Sequence, residues 1–342
     1  MGTTLVTGGA GFIGRALVEE LLVERAEPVR VLDTREPPGV MAGRVDYRRG
    51  SILDDDQLQA AMSGCDRVFH LAAIPDLWLA DKRTYEQVNQ QGTKKVLAAA
   101  ARANVSRLVY TSTESIVAGT RKLGQHADED TSATLADMPG PYCRSKFLAE
   151  RAALRAADEG LPVVIVNPTM PIGAGDERLT PPSRMVLGFL NGEYSAYLDS
   201  AFNLIHVRDV ARGHVLAAER GVVGQRYMLS GENLRLRELL RMLNELTGMA
   251  MPRHRVPWTV AYAFAAASEW TADHITHRPP MAPLTGVQLA RNPLFFDNQR
   301  ARRELELEIT PVREALREAI EDFRRRGLLT ASIIPEAGAG TR

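Results

Sequence analysis

Cysteine is scarce. The 342-residue chain has two, Cys65 and Cys143, which build neither a disulfide framework nor a zinc pattern and suit a reducing, cytoplasmic setting. No metal site is expected. Net charge is missing too: Lys plus Arg and Asp plus Glu stand at 42 each, so no overall field recruits nucleic acid or an anionic membrane. The one dense basic run, Arg324 to Arg326, closes an expected helix, where positive charge favours the carbonyl end. Long apolar runs are also lacking. The longest, "TVAYAFAAAS" at Thr259 to Ser268, falls short of the ~20 residues a bilayer span takes. It reads either as a packed helix or as a greasy surface helix near a lipid-like substrate. The opening "TTLV" is strand-like and is expected to leave no room for a signal peptide.

What is present is alternation. "TTLVTG" precedes a helix around Arg15 to Arg25, and the strand "PVRVLD" follows. "VDYRRG", a helix over Asp54 to Met62 and "DRVFHLAA" come next, then a helix over Tyr85 to Ala103. The strand "RLVYTST", a helix near Tyr142 to Asp158 and the strand "PVVIVNPT" complete the series. Strands separated by helices of this length pair in parallel through right-handed crossovers. The expected fold is α/β, a doubly wound parallel sheet with ligands at the carboxyl ends of its strands. From about Pro171 the pattern breaks into Pro- and Gly-rich loops with mixed helices. We therefore expect a dinucleotide-binding domain over 1–170, with 203–230 returning to it. Residues 171–327 would form mainly a smaller substrate-binding lobe, and 331–342 a flexible tail.

The stretch "LVTGGAGFIG", Leu5 to Gly14, lies between a strand and a helix, the context that makes a glycine string a phosphate site. Gly8 permits a tight turn, Gly11 lets the backbone approach a pyrophosphate, and Gly14 lets helix and strand pack closely. The helix start at Phe12 and Ile13 offers N–H groups and a positive dipole end. Asp33 ends the next strand, where a carboxylate can accept the adenosine ribose hydroxyls; a turn residue is the lesser alternative. That carboxylate repels a 2′-phosphate and so favours NAD over NADP; Arg35, two residues on, softens the preference.

The spacing Gly8-x-x-Gly11-x-x-Gly14 resembles that of the extended short-chain dehydrogenase/reductase family, whose fold is a Rossmann-type doubly wound sheet with a C-terminal substrate lobe. A second motif, "YCRSK", supports the resemblance. Tyr142 and Lys146 stand four apart on one helix face. An ammonium near a phenol favours phenolate and lowers a pKa from about 10 towards the working range, as a general acid/base for alcohol–ketone interconversion requires. Without the glycine turn, the same spacing would be a surface helix with a solvated lysine.

The resemblance implies further residues. A hydroxyl after the strand "RLVYTST" holds the substrate oxygen, with Thr113 the best match and Ser112 the runner-up; the family usually has Ser there. Thr111 would lie against the cofactor. "DRVFHLAA" implies that Leu71, Ala72 and Ala73 line the cofactor, with His70 packed more readily than catalytic. "VNQQGTKKVL" matches the family's V-N-x-x-G-T helix, making Asn89 structural or pocket-supporting. Pro168 and Thr169 would face the nicotinamide. Ser51, with Ile52, stands where an Asp often touches adenine, a departure that puts that contact in doubt. Cys143 is expected to be an inert helix thiol.

Within the family the chain resembles the dihydroflavonol-reductase-like and 3β-hydroxysteroid-dehydrogenase-like branches and the hopanoid-associated sugar epimerase group. The stretches "GPYCRSKFLAE", "GLPVVIVNPTMPIG", "NLIHVRDVARGHVLA" and "YMLSGENL" carry this likeness. Sugar-nucleotide epimerases commonly place an Arg four positions before the His of "IHV" to bind the pyrophosphate. Here that place holds Phe202, and Arg184 or Arg208 would have to substitute. Phe202, Trp78, Met170 and Pro75 suggest an apolar pocket for a ring-shaped hydroxylated substrate, with Glu114 and Asn167 beside it, although each of the four also suits ordinary lobe packing.

The resulting expectation is an NAD(P)-dependent oxidoreductase acting on a secondary alcohol or ketone of a cyclic small molecule. An NDP-sugar 4-epimerase with no net redox change is the alternative, and a cofactor-sensing regulator without turnover is disfavoured by the intact Tyr142–Lys146 pair. A homodimer through helices of the large domain is a family expectation.

Overall fold

Alternating apolar side chains let each early strand bury both faces. In the computed structural model, which describes residues 2–24, 28–117, 126–291 and 295–330, β1 (Thr3–Thr7) sends Leu5 to one face and Val6 to the other. The same division recurs in β2 (Val29–Asp33) with Leu32 and Val31, and in β4 (Cys65–His70) with Val68 and Phe69. It continues in β5 (Arg107–Thr111) with Leu108 and Val109, and in β6 (Val163–Pro168) with Ile165 and Val166. A period of two thus feeds two cores from one sheet. Each fully buried side chain of this kind contributes roughly 1.5–3 kcal/mol.

The short β3 (Asp46–Arg49) ends the sheet on one side. The intervening helices are α1 (Phe12–Glu24), α2 (Asp55–Met62), α3 (Thr93–Ala103, entered through a π-helical segment Tyr85–Gly92) and α4 (Gly140–Asp158). Asp54 caps α2 by accepting from Gln57 N at 3.0 Å. Asn104 ends α3 in the left-handed region.

After β6 come β7 (Met170–Ile172), α5 (Pro181–Leu190), β8 (Ala201–His206), α6 (Val207–Arg220), β9 (Arg226–Leu229) and β10 (Glu232–Arg235). The seven-stranded sheet has the order β9-β6-β5-β4-β1-β2-β3 and is parallel throughout. It is a Rossmann-type α/β sheet, with α1 and α6 covering one face and α2, α3 and α4 the other. Parallel pairing puts Thr7, Asp33, His70, Thr111 and Pro168, the last residues of five strands, on a single edge.

Residues 203–230 divide between two sheets. α6 and β9 return to the large sheet, whereas β8 becomes the centre of a three-stranded sheet between β7 and β10. Asn203 accounts for the difference. Its Oδ1 accepts from Thr169 Oγ1 and Gly231 N, both at 2.7 Å, and its Nδ2 donates to Asn233 Oδ1 at 2.8 Å. A polar side chain at the middle of a strand is satisfied there and would be an orphan in the all-apolar sheet.

The second sheet packs under α5, α7 (Leu236–Thr247) and α11 (Val312–Arg325), forming a lobe core around Leu204, Leu240, Leu316 and Phe323. Between α7 and α11 lie α8 (Trp258–Thr271), α9 (Leu284–Leu289) and α10 (Gln299–Glu304). α8 is not a packed helix: Ala265 alone of its residues is buried, and Val260, Phe264 and Trp270 are more than half exposed at 56%, 52% and 57%. No helix among the described residues is long and apolar enough to cross a membrane. The tail 331–342 and the expected helix end at Arg25 lie outside the described residues.

Candidate active site

The glycine turn closes directly on the edge of the sheet. Gly8 has φ +74°, and a Cβ on it would sit 2.6 Å from Ala72 N. A Cβ on Gly14 would lie 2.3 Å from Gly8 O and 2.8 Å from Gly9 Cα, so α1 meets the turn with no room for a side chain. Gly11 differs. Its Cβ direction meets Gly8 O at 3.0 Å and then only the Arg35 guanidinium at 3.6 Å. One side of the turn is therefore open, beside the start of α1 at Phe12 and Ile13, which is where an anion gains from helix N–H groups. Asp33 accepts from Ala10 N at 3.0 Å and is held by Arg35 through Nε at 3.1 Å and Nη2 at 3.2 Å. Leu71, Ala72 and Ala73 follow β4 on the same edge and are partly exposed, and Leu71 N donates to Thr7 O at 3.0 Å. A cradle with one open glycine face, a carboxylate at the second strand end and small residues opposite fits a dinucleotide. NAD would be held there by Gly8, Gly11, Gly14, Asp33 and the Leu71–Ala73 segment.

Four other expected cofactor contacts have protein partners of their own. Ser51 Oγ accepts from Leu53 N at 3.1 Å, and Ile52 is buried against Gly92. Thr169 directs its hydroxyl to Asn203, away from the edge, while Pro168 is buried at the end of β6.

Beyond β5 the chain places three hydroxyls in sequence. Ser112 N donates to Val166 O at 2.8 Å, and Ser112 Oγ is buried with no hydrogen-bond partner among the described residues. Thr113 Oγ1 donates to Glu114 Oε2 at 2.8 Å and lies 2.8 Å from Ser115 Oγ. Asn167 is fully buried, and its Nδ2 donates to Thr113 O at 3.1 Å and to Glu150 Oε2 at 2.8 Å. Its Nδ2 therefore braces the Thr113 turn, while its Oδ1 is buried with no hydrogen-bond partner among the described residues.

α4 brings Tyr142 and Lys146 to this turn. Tyr142 is 9% exposed, with its ring edge-on to Tyr85 at 6.3 Å. Lys146 is 3% exposed; its Nζ donates to Thr111 O at 2.7 Å and lies 4.8 Å from the centre of the Tyr110 ring. Thr111 in turn pairs its Oγ1 with His214 Nε2 at 2.8 Å. Burial pushes the Lys146 ammonium down to about 7, with Glu150 one turn along opposing. Burial also pushes the Tyr142 phenol up, and the Glu114 carboxylate adds to this, while the Thr113 and Ser115 hydroxyls oppose it. Desolvation thus outweighs the expected lowering of the phenol by Lys146, whose ammonium is turned to the Thr111 carbonyl. Glu114, enclosed beside the phenol, is itself pushed up to about 7 by loss of solvation.

His70 uses both ring nitrogens, on Thr7 Oγ1 at 2.7 Å and Thr93 Oγ1 at 3.0 Å, and burial pushes it down to about 3. It is a neutral tie between β1, β4 and α3. Asn89 clamps the loop after β4 by accepting from Ile74 N at 2.8 Å and donating to Ile74 O at 3.2 Å. Cys143 is fully buried, its thiol pushed up to about 12.

The four apolar residues expected to line one pocket have individual settings. Pro75 is exposed on the loop after β4. Trp78 is buried and donates Nε1 to Asp273 at 2.8 Å. Met170 and Phe202 pack against the lobe core. An open pocket of about 340 Å³ lies between Ala136–Pro139, the segment leading into α4, and Trp258, Tyr262, Gln288 and Arg291. Ser115, Glu150 and His214 were not singled out from the sequence. Glu150 was the most accessible of these, four residues after Lys146 on the same helix face.

The profile of the NAD dependent epimerase/dehydratase family matches residues 4–230. The chain is 37% identical over 328 residues to the "Putative dihydroflavonol 4-reductase" of Synechocystis sp., covering 94% of each. It is 32% identical over 331 residues to the sterol demethylase protein B of Methylococcus capsulatus, covering 96% of this chain and 100% of that one. The crystal structure of gox2253 superposes with a TM-score of 0.85 at 34% identity, over 96% of this chain and 100% of the other. With its glycine turn, its Tyr142–Lys146 helix and this span of likeness, the chain belongs to the NAD-dependent epimerase/dehydratase family of extended short-chain dehydrogenases/reductases.

Proposed function

We propose that this enzyme is an NAD(P)-dependent oxidoreductase, with NAD preferred, that interconverts a secondary alcohol and a ketone on a cyclic, largely apolar substrate. The observation that carries the reading is the meeting of Tyr142, Thr113 and Lys146 at the carboxyl end of β5, on the edge that bears the glycine turn. Bound NAD supplies the hydride acceptor or donor at its nicotinamide ring. Tyr142 Oη gives its proton to the carbonyl oxygen in reduction and takes one from the hydroxyl in oxidation. Thr113 Oγ1, released from Glu114, donates to the same oxygen and stabilises charge developing there. Lys146, whose ammonium is destabilised by burial, would hold the ribose of bound NAD and favour phenolate at Tyr142.

The names of relatives acting on flavonoid and sterol skeletons support the substrate class. An NDP-sugar substrate is less well served. Its pyrophosphate needs cations, yet Arg184 pairs with Asp76 and Arg208 with Glu318, and Phe202 packs into the lobe. A cytoplasmic homodimer belongs to the same proposal. Cyclic secondary alcohols added with NAD are expected to raise NADH absorbance and the melting temperature, and sugar nucleotides to do neither. Sugar interconversion without an absorbance change would replace this reading by the epimerase.

Glu114 makes a pH-linked prediction. Its ionised carboxylate raises the phenol pKa, so Glu114→Gln should move the rising limb of the alcohol-oxidation pH profile to lower pH. An unmoved limb would remove Glu114 from the proton chemistry.

A further inference from the structure

We propose that α8 and the π-helical turn that continues it, Ala272–Thr276, dock this enzyme onto an anionic lipid surface. The docking stands on the surface alone; only the delivery of an apolar substrate through it rests on the function proposed above. The exposed residues Val260, Ala263, Phe264, Ala267, Trp270 and His274 recur at three- and four-residue steps and form one stripe. From Trp258 to Ser268 the helix carries no charged residue. Ile275 and Met281 extend the apolar patch at 62% and 70% exposure. Isolated apolar residues on a surface are ordinary, but a contiguous stripe of this extent marks an interaction site.

Charge identifies the partner. Exposed Arg253 and Arg255 precede α8 and exposed Arg278 follows it, so the chain is cationic on both sides of the apolar stripe. Arg255 pairs with Asp199. The acidic residues of this region face inward: Asp273 is held by Trp78 and Lys82, and Glu269 accepts from Leu284 N at 2.8 Å. An apolar face with an exposed Trp and cationic rims matches the boundary between acyl chains and anionic headgroups. A second copy laid antiparallel on the same face would bring cationic rim onto cationic rim. A fourteen-residue helix is about 21 Å long, so it lies in the interface plane and does not span. The overall charge balance thus conceals a local one.

The opposite side of α8 borders the segment that leads into α4. Trp258 and Tyr262 line the pocket bounded by Ala136–Pro139, three residues ahead of Tyr142 in chain. The lipid-facing helix is therefore one wall of a space that abuts the catalytic helix, an arrangement suited to a substrate drawn from a bilayer.

The test is co-sedimentation of the full chain with vesicles of phosphatidylcholine, with and without phosphatidylglycerol. Wild type is expected to pellet with the anionic vesicles, less with the neutral ones and less at high salt. The double variant Val260→Glu, Phe264→Glu should lose binding roughly ten-fold or more, with melting temperature and NAD affinity unchanged because both positions are exposed. The proposal fails if wild type stays in the supernatant with both vesicles, if it binds both equally, or if the variant binds as wild type does. It also fails if sedimentation velocity shows a Phe264-dependent dimer in place of vesicle binding.

Discussion

Tyr142→Phe is expected to lower kcat at least ~100-fold, the scale of a general acid/base contribution, while NAD affinity and melting temperature hold within error. The substitution removes one oxygen and leaves the ring against Tyr85. The wild-type phenol is poised high by burial and by Glu114, so in reduction it is a fully protonated donor at neutral pH. The oxidation direction asks more of the site, because the phenol must first be brought down. Lys146, one helical turn along, is the cation proposed to do it, and its Nζ donates to Thr111 O. The variant should therefore lose both directions, with KM little changed, since a group used only in the transition state registers in kcat. A KM effect alone would make Tyr142 a binding residue.

The second large effect separates two glycines of the same turn. Gly14→Ala puts a Cβ 2.3 Å from Gly8 O, backbone against backbone, where no rotamer relieves the clash. A cost of about 3 kcal/mol or more is expected, read as a lowered melting temperature with or without NAD. Gly11→Ala adds its methyl on the open side, where Gly8 O at 3.0 Å is the one tight neighbour. It should fold with a small loss of stability yet weaken NAD binding at least ~10-fold by filling the space an anion would occupy. Equal behaviour of the two variants, in calorimetry and cofactor titration, would show that the turn is only structural.

Much of this was legible in the sequence for a local reason. Leu5 and Val6, or Leu108 and Val109, declare two buried faces wherever they sit, so the strands of the large sheet and their parallel order could be read from pattern. The Tyr142–Lys146 step is equally local, being one turn of one helix. What escaped depends on partners far along the chain. β8 looks apolar enough for either sheet, and only the meeting of Asn203 with Thr169, Gly231 and Asn233 assigns it to the lobe. Trp78 seemed free for substrate until Asp273, 195 residues away, claimed its indole N–H. The direction of Lys146 is set jointly by β5, α4 and the Tyr110 ring. Spacing placed the lysine on the right face without saying which oxygen it would meet. For α8 the residues alone left burial and exposure open, since an alanine- and aromatic-rich segment suits both.

The buried polar residues beneath the site belong to the same account. Glu150, 4% exposed, accepts from Asn167 and faces Arg226 Nε at 3.6 Å. It offsets part of the desolvation of Lys146. Such a network holds the Thr113 turn and the ammonium in register, and pre-organisation of this kind is what a proton donor needs to meet an oxygen at hydrogen-bond distance.

The most direct measurement is the fate of a deuterium label carried at the transferable position of NADH, followed by mass spectrometry with a cyclic ketone as acceptor. One deuterium is expected on the new carbinol carbon, with one NADH consumed per alcohol formed and transfer at least ~100-fold slower in Tyr142→Phe. Label retained on the cofactor while a sugar nucleotide inverts, or full transfer in the phenylalanine variant, would contradict the proposed chemistry.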